Sequence, residues 1–412
     1  MILKEQTRSF KVTFHTAAEV RKRPAVDILE NRFLHKLFLL THIPASWLGW
    51  QLAVGLLGMT LLVVVIWLPF GWVALPAAGI YALFALVDWL LLWWLPRSGR
   101  SFGPVGPQLI MMTLPRVGAA VVTVLLALGF GQAFGLRTLL IFQLFGSFVY
   151  LWGMLHEPFA LGITSLTLRS LQWPQNAETL RLLHLSDLHV ERLTQREAQL
   201  LELVEQTKPD LIVITGDYLN LSYVNDPTAR TEVRKVLAKL SAPYGVYATL
   251  GSPTVDPRDT TPSLFAGLNI RLLRDEVAVL DFGDGRTLSL LGMDCEHDLE
   301  TDASVLRNLI ALTPPTSTRI LLYHSPELMP IAQEHPLDLY LCGHTHGGQI
   351  RVPLYGAIVT SSALGKRYEM GPYVEKDTML YISRGIGLEG LGAPRLRLLC
   401  QPEVILVTLS SN

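Results

Sequence analysis

The sequence predicts two parts, an N-terminal bundle of membrane-spanning helices and a C-terminal layered α/β domain. Half of the 412 residues are hydrophobic, and the excess lies mostly between Trp47 and Leu155. Beyond Pro158 the composition is that of a soluble domain, and short apolar strands alternate with helical stretches. We therefore expect three regions: a basic N-terminal arm (1–46), a helical membrane domain (47–155) and an α/β domain (156–412).

Four apolar segments in the first part are each close to the roughly 20 residues that a bilayer core requires. Because they follow one another with few charges, they favour a membrane bundle over separate buried core helices. Asp88 lies inside the second segment. A carboxylate inside a membrane segment is a candidate functional residue. Since we identify no charged partner within the segments, we favour the alternative that Asp88 is hydrogen-bonded to a neighbouring helix or protonated. The segments run from about 50 to 68, 72 to 95, 117 to 135 and 138 to 155.

Lysine and arginine are distributed unevenly around these segments. The N-terminal arm is basic, and the loop after the second segment carries Arg97, Arg100 and Arg116. The first hairpin loop has no basic residue, and the last has only Arg137. Because basic loops stay on the cytoplasmic side, the N terminus, the middle loop and the α/β domain are expected in the cytoplasm.

The cysteine count and the net charge also restrict the possible functions. Cys295, Cys342 and Cys400 are odd in number and widely spaced, which favours reduced thiols over a disulfide framework. The formal net charge of −1 gives no reason to expect a nucleic-acid partner.

The second part contains short apolar runs that we predict as strands, with helices between them. Gly283-Asp284-Gly285 separates two of the strands and predicts a hairpin. The expected helices are 194–206, 228–240 and 301–312. The expected strands are 161–171, 181–185, 211–215, 246–250, 277–282, 287–291, 320–323, 337–341, 379–383 and 404–409.

Polar motifs follow several of these strands at their carboxyl ends, where open α/β sheets place their sites. Each motif alone is ordinary, because Asp-x-His often caps a turn and a single histidine is often structural. The ordered set predicts a metal site, and its mixed oxygen and nitrogen donors suit manganese, iron, zinc or nickel better than calcium. Two such cations can hold a hydroxide between them and clamp a phosphoryl group for in-line attack. The motifs are Asp187-Leu188-His189, Gly216-Asp217, His324 and Gly343-His344-Thr345-His346.

In type and order, these motifs resemble those of the calcineurin-like metallophosphoesterase family, from about Pro158 onward. The resemblance implies a four-layer αββα sandwich with two divalent metal ions. It assigns one metal to Asp187, His189, Asp217 and His346, and the other to Asp217, His324 and His344.

The tail of the chain resembles a bacterial subgroup that acts on membrane lipids or lipid-linked diphosphates. This implies a multi-pass protein of the bacterial inner membrane with a lipid-like substrate. Arg384 lies in this tail, and its guanidinium could meet phosphate oxygens. The stretches that carry the resemblance are Gly347–Arg351, Ser383–Gly387 and Pro394–Val404.

One block departs from the family pattern, because Gly251-Ser252-Pro253 stands where Gly-Asn-His is expected. In the family, the asparagine binds the second metal, and the histidine stabilises the transition state or helps protonate the leaving oxygen. Ser252 would be a weak metal ligand, and Pro253 offers no donor. Losing such a contribution costs roughly 10²–10⁴-fold in rate. Three accounts remain: another residue acts as the acid, the leaving group needs none, or hydrolysis is lost. His297 is the candidate acid, although its sequence context favours an ordinary loop histidine.

Two functions therefore follow from the sequence. The first is a membrane-bound, metal-dependent phosphoesterase or diphosphatase that acts on a phospholipid or lipid-linked diphosphate. The alternative is a degenerate member of the family that binds phosphate or a nucleotide at the membrane as a regulator, without turnover.

Overall fold

The computed structural model describes residues 10–17, 40, 43–390, 392 and 394–411, and these residues divide into two units. Of these residues, the helical unit contains 40, 43–159 and the described part of Glu389–Leu398. The α/β unit contains 10–17, Ala160–Leu388 and 399–411. Most of the basic arm lies outside the described residues.

Among the described residues, the helical unit contains four long α-helices. Three helical stretches are long and apolar enough to cross a membrane: Gly49–Ser98, Val105–Phe130 and Gln132–Phe159. The first of these contains two α-helices, because the backbone leaves the helical conformation at Phe70 and Gly71. A count of four spans therefore stays a prediction. The helices are α1 (Gly49–Trp67), α2 (Ala74–Trp94), α3 (Val105–Phe130) and α4 (Gln132–Leu155).

A buried ion pair joins two of these helices. Arg116 donates from Nε and Nη2 to the two carboxylate oxygens of Asp88, both at 2.6 Å, and from Nη1 to Gln143 Oε1 at 2.8 Å. We expected Arg116 in a loop and no charged partner for Asp88, and both expectations are wrong. The reason is that α3 begins at Val105 and includes Arg116, whereas the hydropathy pattern started this segment at about residue 117.

The segment Glu389–Leu398 belongs to the helical unit, although we expected it in the α/β domain. The Arg397 backbone N–H donates to the Gly153 carbonyl at 2.9 Å, and the Arg395 N–H donates to Gln108 Oε1 at 2.9 Å. These bonds hold the segment against α3 and α4.

The α/β unit is built on two mixed sheets. The seven-stranded sheet has the order β1-β7-β8-β9-β10-β14-β13, and the six-stranded sheet has the order β2-β15-β3-β4-β5-β6. The predicted hairpin is confirmed, since β7 and β8 are antiparallel neighbours. The strands are β1 (Lys11–Thr16), β2 (Gly162–Ser170), β3 (Leu180–Leu185), β4 (Leu211–Thr215), β5 (Val246–Thr249), β6 (Arg271–Leu272), β7 (Glu276–Asp281), β8 (Thr287–Gly292), β9 (Thr318–Leu322), β10 (Leu339–Cys342), β11 (Arg351–Val352), β12 (Gly356–Ala357), β13 (Gly371–Glu375), β14 (Thr378–Ile382) and β15 (Glu403–Ser411).

The N-terminal strand β1 was not expected. We predicted the arm as a separate region, but Lys11–Thr16 pairs antiparallel with β7 at the edge of the seven-stranded sheet. Its alternating valine, phenylalanine and threonine side chains suit a strand, although the basic composition of the arm concealed this pattern.

Alternation along the strands divides the apolar side chains between the two faces of each sheet. Leu182 and Val213 of one sheet share a buried cluster with Leu290 and Ile320 of the other, so the sheets pack against each other. Side chains on the opposite faces pack against helices. The helices are α5 (Gln195–Thr207), α6 (Pro227–Leu237), α7 (Leu299–Ala311) and the short α8 (Met329–Ala332).

We expect Arg116→Met to destabilise the protein by roughly 3–5 kcal/mol, because Asp88 would be left buried without its partner. The double variant Asp88→Leu/Arg116→Met should lose less, since it removes both charges. Arg137→Met, which changes an exposed residue of α4, is the control. Thermal unfolding of detergent-solubilised protein measures these effects, and equal stability of Arg116→Met and Arg137→Met would contradict the expectation.

Candidate metal centre

The predicted metal ligands lie directly after strands of both sheets. Asp187 and His189 follow β3, and Asp217 follows β4 in the six-stranded sheet. His344 and His346 follow β10 in the seven-stranded sheet. All five have positive φ values, from 42° to 71°, a conformation that costs on the order of 1–3 kcal/mol in a non-glycine residue. The two sheets therefore hold these side chains in a strained, converging arrangement.

Gly343 allows the β10 loop to approach the β3 loop closely. A Cβ atom at this position would lie 2.0 Å from Asp187 Oδ2 and 2.1 Å from Ser186 Oγ. Because no side chain fits in this space, glycine is required where the two loops meet. The His344 N–H then donates to Asp187 Oδ1 at 3.0 Å and ties the loops together.

One group of possible metal ligands consists of Asp187, His189 and His346, whose ligand atoms lie within 4.8 Å of one another. The Nε2 atoms of His189 and His346 are 2.9 Å apart. His189 Nδ1 faces the Leu219 carbonyl at 3.3 Å, and donation to that oxygen leaves the Nε2 lone pair directed into the group. This orientation suits metal binding.

A second group consists of Asp187, Asp217 and His324. His324 Nδ1 donates to the Thr215 carbonyl at 2.6 Å, so Nε2 is again the atom that faces the carboxylates, 3.2 Å from Asp217 Oδ2. Asp187 Oδ2 is buried and has no hydrogen-bond partner in the described part of the chain. Since a buried carboxylate oxygen needs a partner, this orphaned atom fits a site for a cation.

The electrostatics of the second group support the same interpretation. Burial raises the pKa of Asp187. Burial acts in the same direction on Asp217, but the interaction with His324 outweighs it and lowers the pKa of Asp217. Burial opposes the charge on His324, yet Asp217 and Asp187 raise its pKa well above the ordinary value. The buried carboxylates are therefore stable only beside positive charge, which a proton on His324 or a divalent cation can supply. The donor set thus fits the predicted metals.

His344 lies beside these groups. Its ring centroid is 5.3 Å from that of His324, and its Nδ1 is 3.3 Å from Ser252 Oγ. The Ser252 N–H donates to Asp217 Oδ1 at 2.8 Å. The altered third block therefore remains next to the ligands, with a hydroxyl where the family pattern has an amide. The role of Ser252 as a metal ligand stays a prediction.

Asp256 supports the altered block and was missed by the sequence analysis. Its Oδ2 accepts hydrogen bonds from the N–H groups of Asp217 at 2.7 Å and Gly251 at 2.8 Å. Burial raises its pKa to about 6. The available signal was an acidic residue shortly after Pro253, because the family block is also followed by an acid.

The two predicted catalytic residues occupy different surroundings. His297 is buried, with its ring centroid 5.0 Å from that of His344. Arg384 donates from Nη2 to Glu403 Oε2 at 2.6 Å, so its guanidinium is already engaged by a carboxylate. Contact between Arg384 and a phosphate group stays a prediction.

Comparison with known proteins identifies the family. Residues 180–348 match the calcineurin-like phosphoesterase family. The chain is 31% identical over 262 residues to the uncharacterized metallophosphoesterase YkuE of Bacillus subtilis, an alignment that covers 62% of this chain and 88% of YkuE. The chain belongs to the calcineurin-like phosphoesterase family. The family resemblance that we saw in the metal motifs is thereby confirmed.

Two further relatives carry names that describe an activity. Phosphodiesterase YaeI of Escherichia coli is 30% identical over 244 residues, which cover 57% of this chain and 83% of YaeI. The UDP-2,3-diacylglucosamine pyrophosphatase LpxG of Chlamydia trachomatis is 25% identical over 313 residues, which cover 63% of this chain and 92% of LpxG. The names describe hydrolysis of phosphoester and diphosphate bonds, and a hydrolase is the activity that these relatives support.

We expect Gly343→Ala to weaken metal binding by about 10–100-fold, because the added methyl group would displace the Asp187 carboxylate. Gly162→Ala is the matched control, since no described heavy atom lies within 4 Å of the position of its added Cβ. Titration of the chelator-treated variants with Zn²⁺ measures the affinity. Equal affinities in the two variants would show that the close approach at Gly343 does not position Asp187.

Proposed function

We propose that this protein is a membrane-bound, metal-dependent phosphoesterase or diphosphatase with a lipid-like substrate. The observation that supports this function most directly is the convergence of buried carboxylates and imidazoles from strand ends of both sheets. Asp187 belongs to both ligand groups, with His189 and His346 in one and with Asp217 and His324 in the other. These groups would bind two divalent cations of the manganese, iron, zinc or nickel type.

When bound, such cations generate a nucleophile from water at neutral pH and neutralise charge on phosphoryl oxygens. The protein contributes orientation and charge. Asp187 and Asp217 supply the negative charge that retains the cations, and His189 and His324 present Nε2 because each Nδ1 faces a backbone carbonyl. The family assigns His344 to the second cation, and its position beside Ser252 and His324 supports this assignment.

The altered third block favours a leaving group that needs little protonation. Pro253 provides no proton at the position of the family histidine. The leaving group of a diphosphate is a weakly basic phosphate, which needs little protonation. The name of LpxG, a UDP-2,3-diacylglucosamine pyrophosphatase, supports a lipid-linked diphosphate as the substrate. His297, which lies against His344, is the proposed acid for less reactive esters, and Arg384 is a proposed phosphate contact.

A membrane location fits both the substrate and the apolar helices. Three described stretches are long and apolar enough to cross a bilayer. The distribution of lysine and arginine favours a helical part that spans the bacterial inner membrane and an α/β domain on its cytoplasmic side. Such a domain would have access to the headgroups of lipids in the same membrane, so the lipid substrate would not first have to be transported to it.

A second candidate function is phosphate or nucleotide binding without turnover. The specific observation in its favour is Ser252-Pro253, since the loop reaches the site but lacks both family side chains. A degenerate member of the family would keep the ligand groups around Asp187 and use them in regulation.

We expect purified protein loaded with Mn²⁺ to hydrolyse bis-p-nitrophenyl phosphate or a lipid diphosphate. Asp217→Ala should reduce the rate by at least about 100-fold, because it removes a buried carboxylate that retains the cations. Asp259→Ala, at an exposed position of a nearby loop, should leave the rate unchanged. Release of nitrophenol or phosphate measures the activity, and undiminished turnover by Asp217→Ala would contradict the assigned site.

Restoring the family block distinguishes the two functions. Ser252→Asn/Pro253→His should raise turnover by about 10²–10⁴-fold from a near-zero level if the protein is degenerate. Little change, or a loss, is expected if the protein is an adapted diphosphatase. Metal content and initial rates should be measured together, so that a change in loading is not mistaken for a change in chemistry.

A further inference from the structure

An exposed apolar hairpin follows the loop that carries His344 and His346. Strands β11 and β12 pair antiparallel, and residues 353–355 connect them. We call residues 351–359 the apolar hairpin. Single exposed apolar side chains are ordinary, but a contiguous set of them marks a surface that binds a partner. The exposed residues of the apolar hairpin are Val352, Pro353, Leu354, Tyr355, Ile358 and Val359.

The tip of the apolar hairpin holds a leucine in a strained backbone conformation. Leu354 has φ 66°, and its side chain is fully exposed. Such a conformation costs a non-glycine residue on the order of 1–3 kcal/mol, whereas glycine adopts it readily. An exposed leucine gains little from packing within its own chain, so nothing in the α/β unit offsets this cost. A leucine at this position is favourable when its side chain is buried in an apolar partner.

The apolar hairpin is fixed to the loop that carries the metal ligands. Arg351 donates from Nη1 to the Gly347 carbonyl at 2.7 Å and from Nη2 to Glu369 Oε2 at 2.9 Å. A Cβ atom at Gly348 would lie 2.3 Å from the Cβ of Ala357, so the base of the hairpin packs directly on this loop. A partner bound to the tip is therefore held next to the predicted metal centre.

The polar residues beside the tip indicate the kind of partner. Lys366 Nζ lies 3.9 Å from the ring centroid of Tyr355 and donates to the carbonyls of Tyr355 at 2.7 Å and Ala357 at 3.0 Å. The Lys366 side chain is 47% exposed, whereas its ion-pair partner Glu369 is 12% exposed, so the accessible charge is positive. Tyrosine and lysine beside an apolar tip are typical of segments at a bilayer surface, where the cation meets anionic headgroups.

The chain reaches the α/β unit at the same edge. Strand β2 is parallel to β15, which is antiparallel to β3, so β2 begins at the edge where β3 ends and Asp187 follows. We call this edge of the sheet the metal edge. Strand β2 begins at Gly162, shortly after the last apolar helix ends at Leu155. A bilayer that holds this helix is thus separated from the metal edge by only a short length of chain.

We propose that the apolar hairpin inserts into the surface of a lipid bilayer, with Leu354 among the acyl chains and Lys366 near the phosphate groups. The bilayer is the one that the apolar helices would cross, so this inference rests on the proposed membrane location. It does not depend on hydrolysis. Insertion would bring the headgroups of membrane lipids to the metal-ligand loop while their acyl chains remain in the bilayer.

The test measures how deeply the tip lies in a bilayer. Full-length Leu354→Cys is labelled with a nitrobenzoxadiazole fluorophore, which the buried native cysteines do not take up. The protein is placed in nanodiscs of phosphatidylethanolamine and phosphatidylglycerol, with or without nitroxide-labelled lipid. We expect a nitroxide on the shallow part of the acyl chain to quench the label at least about twofold, since interfacial segments lie roughly 5–10 Å into the boundary between headgroups and acyl chains.

Two further labelled positions serve as controls. Leu171→Cys also replaces an exposed leucine, but it follows the end of β2 and therefore lies at the opposite edge of the sheet from the metal edge. Its label should not be quenched. Val121→Cys, at an exposed position of α3, should be quenched if the helices cross the bilayer. Adding Val352→Ser/Tyr355→Ser to Leu354→Cys should lower the quenching at least about twofold, because these substitutions remove apolar area from the hairpin.

The outcomes distinguish this inference from the proposed membrane location. If the label at Val121 is quenched and that at Leu354 is quenched no more than that at Leu171, the inference is overturned and the location stands. A blue-shifted label at Leu354 that lipid nitroxides do not quench also overturns it, in favour of a protein partner such as a second copy of the chain.

Quenching at Leu354 that is unchanged by Val352→Ser/Tyr355→Ser shows that the fluorophore alone inserts, and this too overturns the inference. An unquenched label at Val121 contradicts the membrane location and the inference with it. A lack of phosphatase activity, in contrast, contradicts only the proposed hydrolysis.

Discussion

The α/β unit depends on the burial of Asp187 and Asp217 at one site. Two carboxylates removed from water each carry a desolvation penalty of several kcal/mol, which only positive charge or close hydrogen bonding offsets. The sequence places imidazoles after neighbouring strands and glycines where the loops touch, so that His324 and His189 reach these oxygens. The strained backbone at the ligands is maintained because the ligand loops begin at the ends of strands in two extensively packed sheets, which over-determine the loop conformations.

This constraint explains which parts of the site the sequence could predict. Each expected ligand directly follows an apolar strand, so its position is encoded locally, and the strand ends bring Asp187 and His346 together although they are distant in sequence. Asp256 does not directly follow a strand, and its only local signal is an acidic residue shortly after Pro253. It matters because its loop folds back onto Asp217, whose N–H donates to its carboxylate. The return of a loop is a tertiary feature, which a motif does not reveal.

The errors in the helical unit and at the N terminus have a related physical cause. Hydropathy treats a charged residue as a boundary, so Arg116 was assigned to a loop, whereas pairing with Asp88 allows the guanidinium to lie inside α3. Likewise, the basic composition of the arm concealed β1, whose partner β7 lies far along the chain. In both cases an interaction between distant residues changes the environment that composition alone would assign.

The altered third block shows how a change in chemistry can be separated from a change in fold. Asp256 holds the backbone of Gly251 and Asp217, and the Ser252 N–H still reaches Asp217. Because these bonds use main-chain donors, they survive the exchange of asparagine and histidine for serine and proline. The departure therefore acts on the side chains offered to a cation or a leaving group, while the loop stays in place.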